Sequence, residues 1–141
     1  MSRIFFDTNL FIYWLEDTGR LAALVAALVE RMIARRDQLL ISTITLGEVL
    51  VKPLALGDAA LAERYEKLLG SRGISLIPFD RSCARIYAQL RRNKTLKASD
   101  AIQLACAASA RCDLFITNDD RLSRQIVPGI HFIAPLERAI I

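Results

Sequence analysis

Short apolar runs and longer helical periods alternate along this chain. Residues 3–6 (RIFF), 38–42 (QLLIS), 74–77 (ISLI), 113–117 (DLFIT) and 130–133 (IHFI) are brief, apolar and rich in β-branched or aromatic side chains, the pattern of buried strands. Between them, 21–36 reads as a helix rich in Ala, Leu and Arg; 58–70 opens at Asp58 and stops near Gly70; 80–92 opens at Asp80. Residues 99–111 read as an Ala-rich helix capped by Ser99, and 44–51 as a shorter helix that Pro53 is expected to kink or end. None of the Asn-Gly hairpins of an antiparallel sheet is present, so five strands separated by helices predict a parallel sheet covered on both faces. No repeat, linker or low-complexity tract divides residues 1–141, which read as one α/β domain.

Composition sharpens this picture. A 53% hydrophobic content is high for a chain of 141 residues, so both faces of some element must be covered, as in an α/β layer fold or an oligomer. The longest apolar run, LAALVAALV at 21–29, is bounded by Arg20 and Glu30 and is too short to span a bilayer. The N-terminus lacks the basic region and cleavable apolar stretch of a secretory signal, so a cytoplasmic location is expected. Cys83, Cys106 and Cys112 form no C-x-x-C pair and read as buried thiols. His131 is the single histidine, which removes His-centred metal sites and a Ser-His-Asp triad unless it alone serves. A net charge of +4 permits a polyanionic partner without demanding one.

The candidate chemistry is carboxylate chemistry. In an open parallel sheet, functional groups gather at the carboxyl ends of the strands, where the strand order reverses. Asp7 follows the first strand, Glu48 lies early in the helix after the second, Asp100 opens the helix leading to the fourth, and Asp119 follows the fourth. Each has an innocent reading: Asp7 and Asp119 as turn formers, Thr45 and Glu48 as a capping box, Asp100 as a complement to a helix N-terminus. Together, acids on one rim of an apolar sheet repel one another and bind protons unless a cation intervenes. Oxygen-only ligands favour a hard ion, Mg²⁺ or Mn²⁺.

Four segments, FFDTNLFIYWLE at 5–16, STITLGEVLVKPLALGD at 42–58, LKASDAIQLACAA at 96–108 and LFITNDDRL at 114–122, resemble in order and spacing the PIN-domain nucleases, and more closely the VapC-type toxins of bacterial toxin–antitoxin pairs. The resemblance covers nearly the whole chain. It implies a PIN-like three-layer α/β/α fold with a central, mostly parallel five-stranded sheet. It matches Asp7, Glu48, Asp100 and Asp119 to the family's acidic quartet, and Asn9, Thr117 and Asn118 to polar positions beside it. Where the acid is doubled, the T-N-D pattern favours Asp119 over Asp120.

The activity so implied is metal-dependent endonucleolytic cleavage of RNA, with water as nucleophile and 5′-phosphate and 3′-hydroxyl ends. The physics agrees, because carboxylates alone repel a phosphodiester and one or two Mg²⁺ ions reverse that sign. Asp7 and Asp100 are the expected principal ligands, and Asp119 completes the site or holds a second ion. Glu48 either binds metal through water or orients the nucleophile. Arg91, Arg92, Lys94 and Lys97, upstream of Asp100, are candidate contacts to the RNA backbone, as are Arg121 and Arg124 after Asp119; the alternative is a solvated helix end. Phe11, Tyr13 and Trp14 either stack on an unpaired base or pack the first helix. The resemblance further implies a homodimer and a cognate VapB-like antitoxin lying across the active-site groove. Competing readings are a PIN nuclease of RNA processing or decay, a silent PIN binding module, and a haloacid-dehalogenase-like phosphotransferase; the last wants a second Asp where this chain has Asn9.

Overall fold

The computed structural model describes residues 1–139. Strands β1 (Arg3–Phe6), β2 (Gln38–Ser42), β3 (Ile74–Ile77), β4 (Leu114–Thr117) and β5 (Phe132–Pro135) alternate with helices α1 (Thr8–Glu16), α2 (Arg20–Arg35), α3 (Thr43–Ala55), α4 (Ala59–Leu69), α5 (Arg81–Leu90), α6 (Ala98–Ser109) and α7 (Asp120–Ser123). The sheet order is β3-β2-β1-β4-β5. Every described pairing is parallel, beyond the mostly parallel sheet expected. The chain steps outward from β1 through β2 to β3, then returns to the other side of β1 for β4 and β5. That return makes the carboxyl edge between β1 and β4 the switch point.

Alternation within the strands explains the three layers. Ile4 and Phe6 of β1, Leu39 and Ile41 of β2 and Ile116 of β4 face one core with Leu10, Val25, Leu28, Val49, Tyr65 and Leu69 of the first four helices. Phe5, Leu40 and Phe115 face the other, against Cys83 of α5 and Leu104 and Cys106 of α6. Phe5 and Phe115 are register partners whose rings stack at 5.3 Å, so the two central strands are also joined through their side chains. Burying each ring contributes about 2–3 kcal/mol by area, which favours this pairing over a shifted register.

Asp58 and Asp80 cap α4 and α5 as expected, accepting from the Leu61 and Cys83 amides. Other boundaries differ from expectation. The first turn of α3 is capped by Ser42, whose hydroxyl accepts from the Thr45 amide, so Thr45 and Glu48 do not form a capping box. Helix α3 runs through Pro53 and ends at Ala55, because the proline sits in the last turn with its ring buried and sacrifices only one backbone bond. Ser99 does not cap α6, which opens at Ala98 with Lys97 at the cap and no side-chain bond there. Strand β5 starts at Phe132 because Gly129 turns the chain first, with φ at 99°, and Ile130 is spent on the core.

Gly129 lies against α6 so closely that an added Cβ would stand 2.8 Å from the Ala108 carbonyl oxygen. A Gly129→Ala substitution is therefore expected to cost roughly 2 kcal/mol or more, from both the left-handed backbone and the clash. Urea unfolding reads this as a lower midpoint at constant slope, and an unchanged midpoint contradicts it.

Candidate active site at the carboxyl edge of the sheet

Asp7 is the first residue beyond β1, and its backbone amide continues the ladder by donating to Ile116 at 2.9 Å. Its Oδ1 caps α1 by accepting from the Thr8 amide at 2.8 Å. Its Oδ2 accepts from the Thr117 hydroxyl at the end of β4 at 2.7 Å, and that hydroxyl accepts in turn from the Asp119 amide at 3.0 Å. One buried carboxylate thus joins β1, α1, β4 and the turn into α7. Asp119 caps α7 through the Arg121 amide.

Glu48 lies on α3, and its Oε1 accepts from the Thr8 hydroxyl at 2.7 Å and the Gln103 amide nitrogen at 2.9 Å. Asp100 stands in the first turn of α6, one turn before Gln103 and on the same face. Neither of its oxygens accepts a hydrogen bond from a described side chain. The four acids come from four separate elements and share one edge.

Their charges interact. Burial above all pushes the Asp7 carboxyl up to about 6; hydrogen bonds from Thr117 and Thr8 oppose this, while the charges of Asp100 and Glu48 add to it. Asp100 is also raised, first by burial and then by Asp119, with Glu48 contributing; Lys97 and Arg121 pull it down. Among the described residues no three acidic, His or Cys side chains form a ready-made metal cage. Mg²⁺ usually keeps several waters and takes only one or two carboxylates. The oxygen-only donors and the raised Asp7 and Asp100 carboxyls suit a hard divalent cation.

The flanking residues divide. Thr117 is buried and bonded to Asp7, whereas Asn9 is exposed and Asn118 turns away to donate to the Tyr13 hydroxyl at 3.1 Å. Asp119 is half-buried beside Thr117 and Asp120 is exposed, which separates the doubled acids as the T-N-D pattern does. Lys97 and Arg121 lie within electrostatic reach of Asp100, and Arg121 is 3.9 Å from Asp119. Arg91 is tied to the Leu96 carbonyl, while Arg92 and Lys94 are exposed without a described bond to the acids. Phe11 is fully buried against Phe6 and Trp14, so it packs the helix and offers no face to a base.

All three cysteines are free and buried, and burial pushes the Cys106 and Cys112 thiols up to about 12. His131 pairs loosely with Asp113 at the opposite edge. Sequence reasoning does not mark Thr8, Ser42, Thr45 or Gln103 as site residues. All four are buried and together form the polar floor under Glu48. Their signal is a polar residue inside an apolar helical face, as with Gln103 between Ile102 and Leu104.

A family model described as PIN domain matches residues 4–126. The chain belongs to the PIN-domain family. PIN domains are nucleases, generally dependent on divalent metals. A chain of a toxin–antitoxin complex from Klebsiella pneumoniae is 29% identical and superposes with a TM-score of 0.69, covering 90% of this chain and 94% of that one. In fold this PIN domain also matches VapBC2 from Rickettsia felis bound to a promoter DNA fragment, at 18% identity and a TM-score of 0.69, covering 94% of this chain and 98% of that one. VapBC-5 from Mycobacterium tuberculosis matches at 23% identity and a TM-score of 0.61, covering 95% and 99%. Comparison with curated proteins finds no significant match. No described helix of the PIN domain is long and apolar enough to cross a membrane.

The raised Asp7 carboxyl makes the metal-free fold pH-sensitive. Between the ordinary 3.8 and about 6 the native state binds a proton that the unfolded chain has lost, so this group's contribution to stability declines as pH rises through that window and stays lost above it. Removing the charge in Asp7→Asn is expected to stabilise the metal-free protein by roughly 2 kcal/mol at neutral pH, with most of that advantage gone by about pH 4.5. Denaturant midpoints at the two pH values check it. A destabilised variant at neutral pH contradicts it.

Proposed function

We propose that this PIN domain is a Mg²⁺-dependent endoribonuclease, with Mn²⁺ an acceptable substitute, and the toxin of a VapBC-like pair acting in the cytoplasm. The observation that carries the reading is the gathering of Asp7, Glu48, Asp100 and Asp119 at the carboxyl edge of a PIN fold, where Asp7 is raised by burial and then by Asp100 and Glu48, and Asp100 by burial and then by Asp119 and Glu48.

In this reading Asp7 and Asp100 are the principal metal ligands and Asp119 completes the set. A bound divalent ion supplies positive charge against the phosphodiester and Lewis acidity toward water. The chain's own residues do the remainder. Thr117 and the Thr8 amide hold the Asp7 carboxylate in one orientation, and Thr8 and Gln103 hold Glu48 beside it. Lys97 and Arg121, which lower the Asp100 carboxyl, draw the RNA backbone to the edge; Arg92 and Lys94 extend that positive surface. Water is the nucleophile, so the products carry 5′-phosphate and 3′-hydroxyl ends.

The toxin assignment draws on the likeness to toxin–antitoxin complexes, of which the Klebsiella pneumoniae chain is similar in sequence as well as fold. A VapB-like antitoxin covers the groove, and the toxin is a homodimer. The exposed Val51, Leu54 and Leu56 at the end of α3 supply apolar surface for such contacts.

Induced expression of the wild type is expected to arrest growth, and the purified protein to cut RNA only with Mg²⁺ or Mn²⁺ present. Asp7→Asn and Asp100→Asn should each lower cleavage by at least about 100-fold and abolish arrest. The denaturant midpoint of Asp7→Asn, measured beside its activity, separates a lost ligand from a folding defect. Cleavage that persists unchanged in both variants, or without divalent ions, defeats the mechanism. RNA cleavage without growth arrest points to a processing nuclease.

Substitution of Lys97 or Arg121 by Ala is expected to weaken RNA binding uniformly across sequences and to reduce the salt slope of log affinity by about 1 for each phosphate no longer neutralised. Binding measured over a salt series reads the slope. An unchanged slope in both variants removes these cations from the RNA path.

A further inference from the structure

Gln103 is 2% exposed and sits on α6 among Ala101, Leu104, Ala105, Cys106 and Ala107, where an amide is costly unless every polar atom is bonded. Its Oε1 accepts from the Ser42 hydroxyl at 2.8 Å. Its Nε2 lies 2.9 Å from each of three oxygens, those of Thr8, Thr45 and Glu48. Two amide protons thus face three acceptors.

The direction of this network follows from its charged end. Glu48 can only accept when ionised, so the amide must present its NH₂ there, and the carbonyl end is left to take the Ser42 proton. Thr45 closes the chain beside Ser42, whose hydroxyl oxygen lies 3.4 Å from its own. Thr8 donates its hydroxyl to the same Glu48 oxygen that Gln103 approaches, at 2.7 Å. A buried amide needing only structural satisfaction would find it in the three hydroxyls. This one reaches a carboxylate at the candidate active site as well, and the Thr8 hydroxyl and the Gln103 amide together occupy one carboxylate oxygen.

We propose that Gln103 is a positioning residue for phosphodiester cleavage: it fixes the rotamer of Glu48 by holding Oε1, so that the second carboxylate oxygen faces the edge where Asp7 and Asp100 meet. The role rests on the nuclease reading above. It links α6, which carries Asp100, to α3, which carries Glu48, and sets the two acids in register.

The test is single-turnover cleavage of a labelled RNA by the full chain over a Mg²⁺ titration. The proteins are wild type, Gln103→Met, Glu48→Gln, the double variant, and Asp100→Asn as reference. Gln103→Met should lower the maximal rate by about 10–100-fold, the usual effect of removing a group that orients a ligand. In the Glu48→Gln background the same substitution should cause little further loss, because the residue acts through Glu48. A wild-type rate in Gln103→Met, or losses that multiply in the double variant, overturns the proposal, since a merely structural defect is independent of Glu48. If Gln103→Met does not fold, Gln103→Asn, which keeps a buried amide but withdraws it by one methylene, takes its place, and the same two outcomes support or overturn the role. A wild type that cuts no RNA, or an Asp100→Asn variant that cuts as well as wild type, overturns the nuclease reading and this role with it. That outcome differs from the failure of Gln103 alone, in which wild type is active and Asp100→Asn is not.

Discussion

A single buried carboxylate organises this molecule. Asp7 ends the central strand, caps the first helix, accepts from Thr117 across the β1–β4 switch point and, through that hydroxyl, locates Asp119. All of these contacts favour the charged form, yet burial dominates and the carboxyl is still pushed up to about 6. The fold therefore holds a charge where solvation alone would not, close to other charges of the same sign. That is a destabilising arrangement in isolation and a favourable one for a cation.

The same tension accounts for the layers around it. A parallel sheet covered on both faces opens to water at its strand ends and along its outer strands β3 and β5, and the buried polar groups of the interior gather toward the carboxyl edge. Ser42 and Thr117 close their strands there, and Thr8, Thr45 and Gln103 fill the space beneath, so the described interior leaves no buried side-chain polar atom without a partner. Their hydrogen bonds permit acids to come together in a core otherwise built from Phe, Ile, Leu and Ala. Rigidity at the edge is thus a product of polar satisfaction as much as of packing.

Much of this architecture could be read from local pattern. Short apolar runs marked β1 to β4 nearly to the residue, and Asp58 and Asp80 announced α4 and α5, because these signals act over a few positions. Local reading failed where tertiary packing outweighed it. Pro53 stayed helical because its ring is buried; Ser99 lost its cap role to an opening at Ala98; β5 was displaced by the close passage of Gly129 over Ala108. The four acids were recognisable from motif order. The polar residues holding them were not, since a Gln or Thr in an apolar helix has no periodicity of its own.

The sequence by itself determined that two apolar faces must be covered, that the strands run parallel, and that Asp7, Glu48, Asp100 and Asp119 belong to a PIN-like pattern, because residue types and spacing carry all of that. Only the tertiary structure decided which cations stand beside Asp100, which way Asn118 points, and which oxygen of Glu48 is occupied. Those are relations between side chains brought together from elements as far apart in sequence as Thr8 and Gln103. Their energies depend on burial and distance at the shared edge, and neither quantity exists until the sheet has assembled.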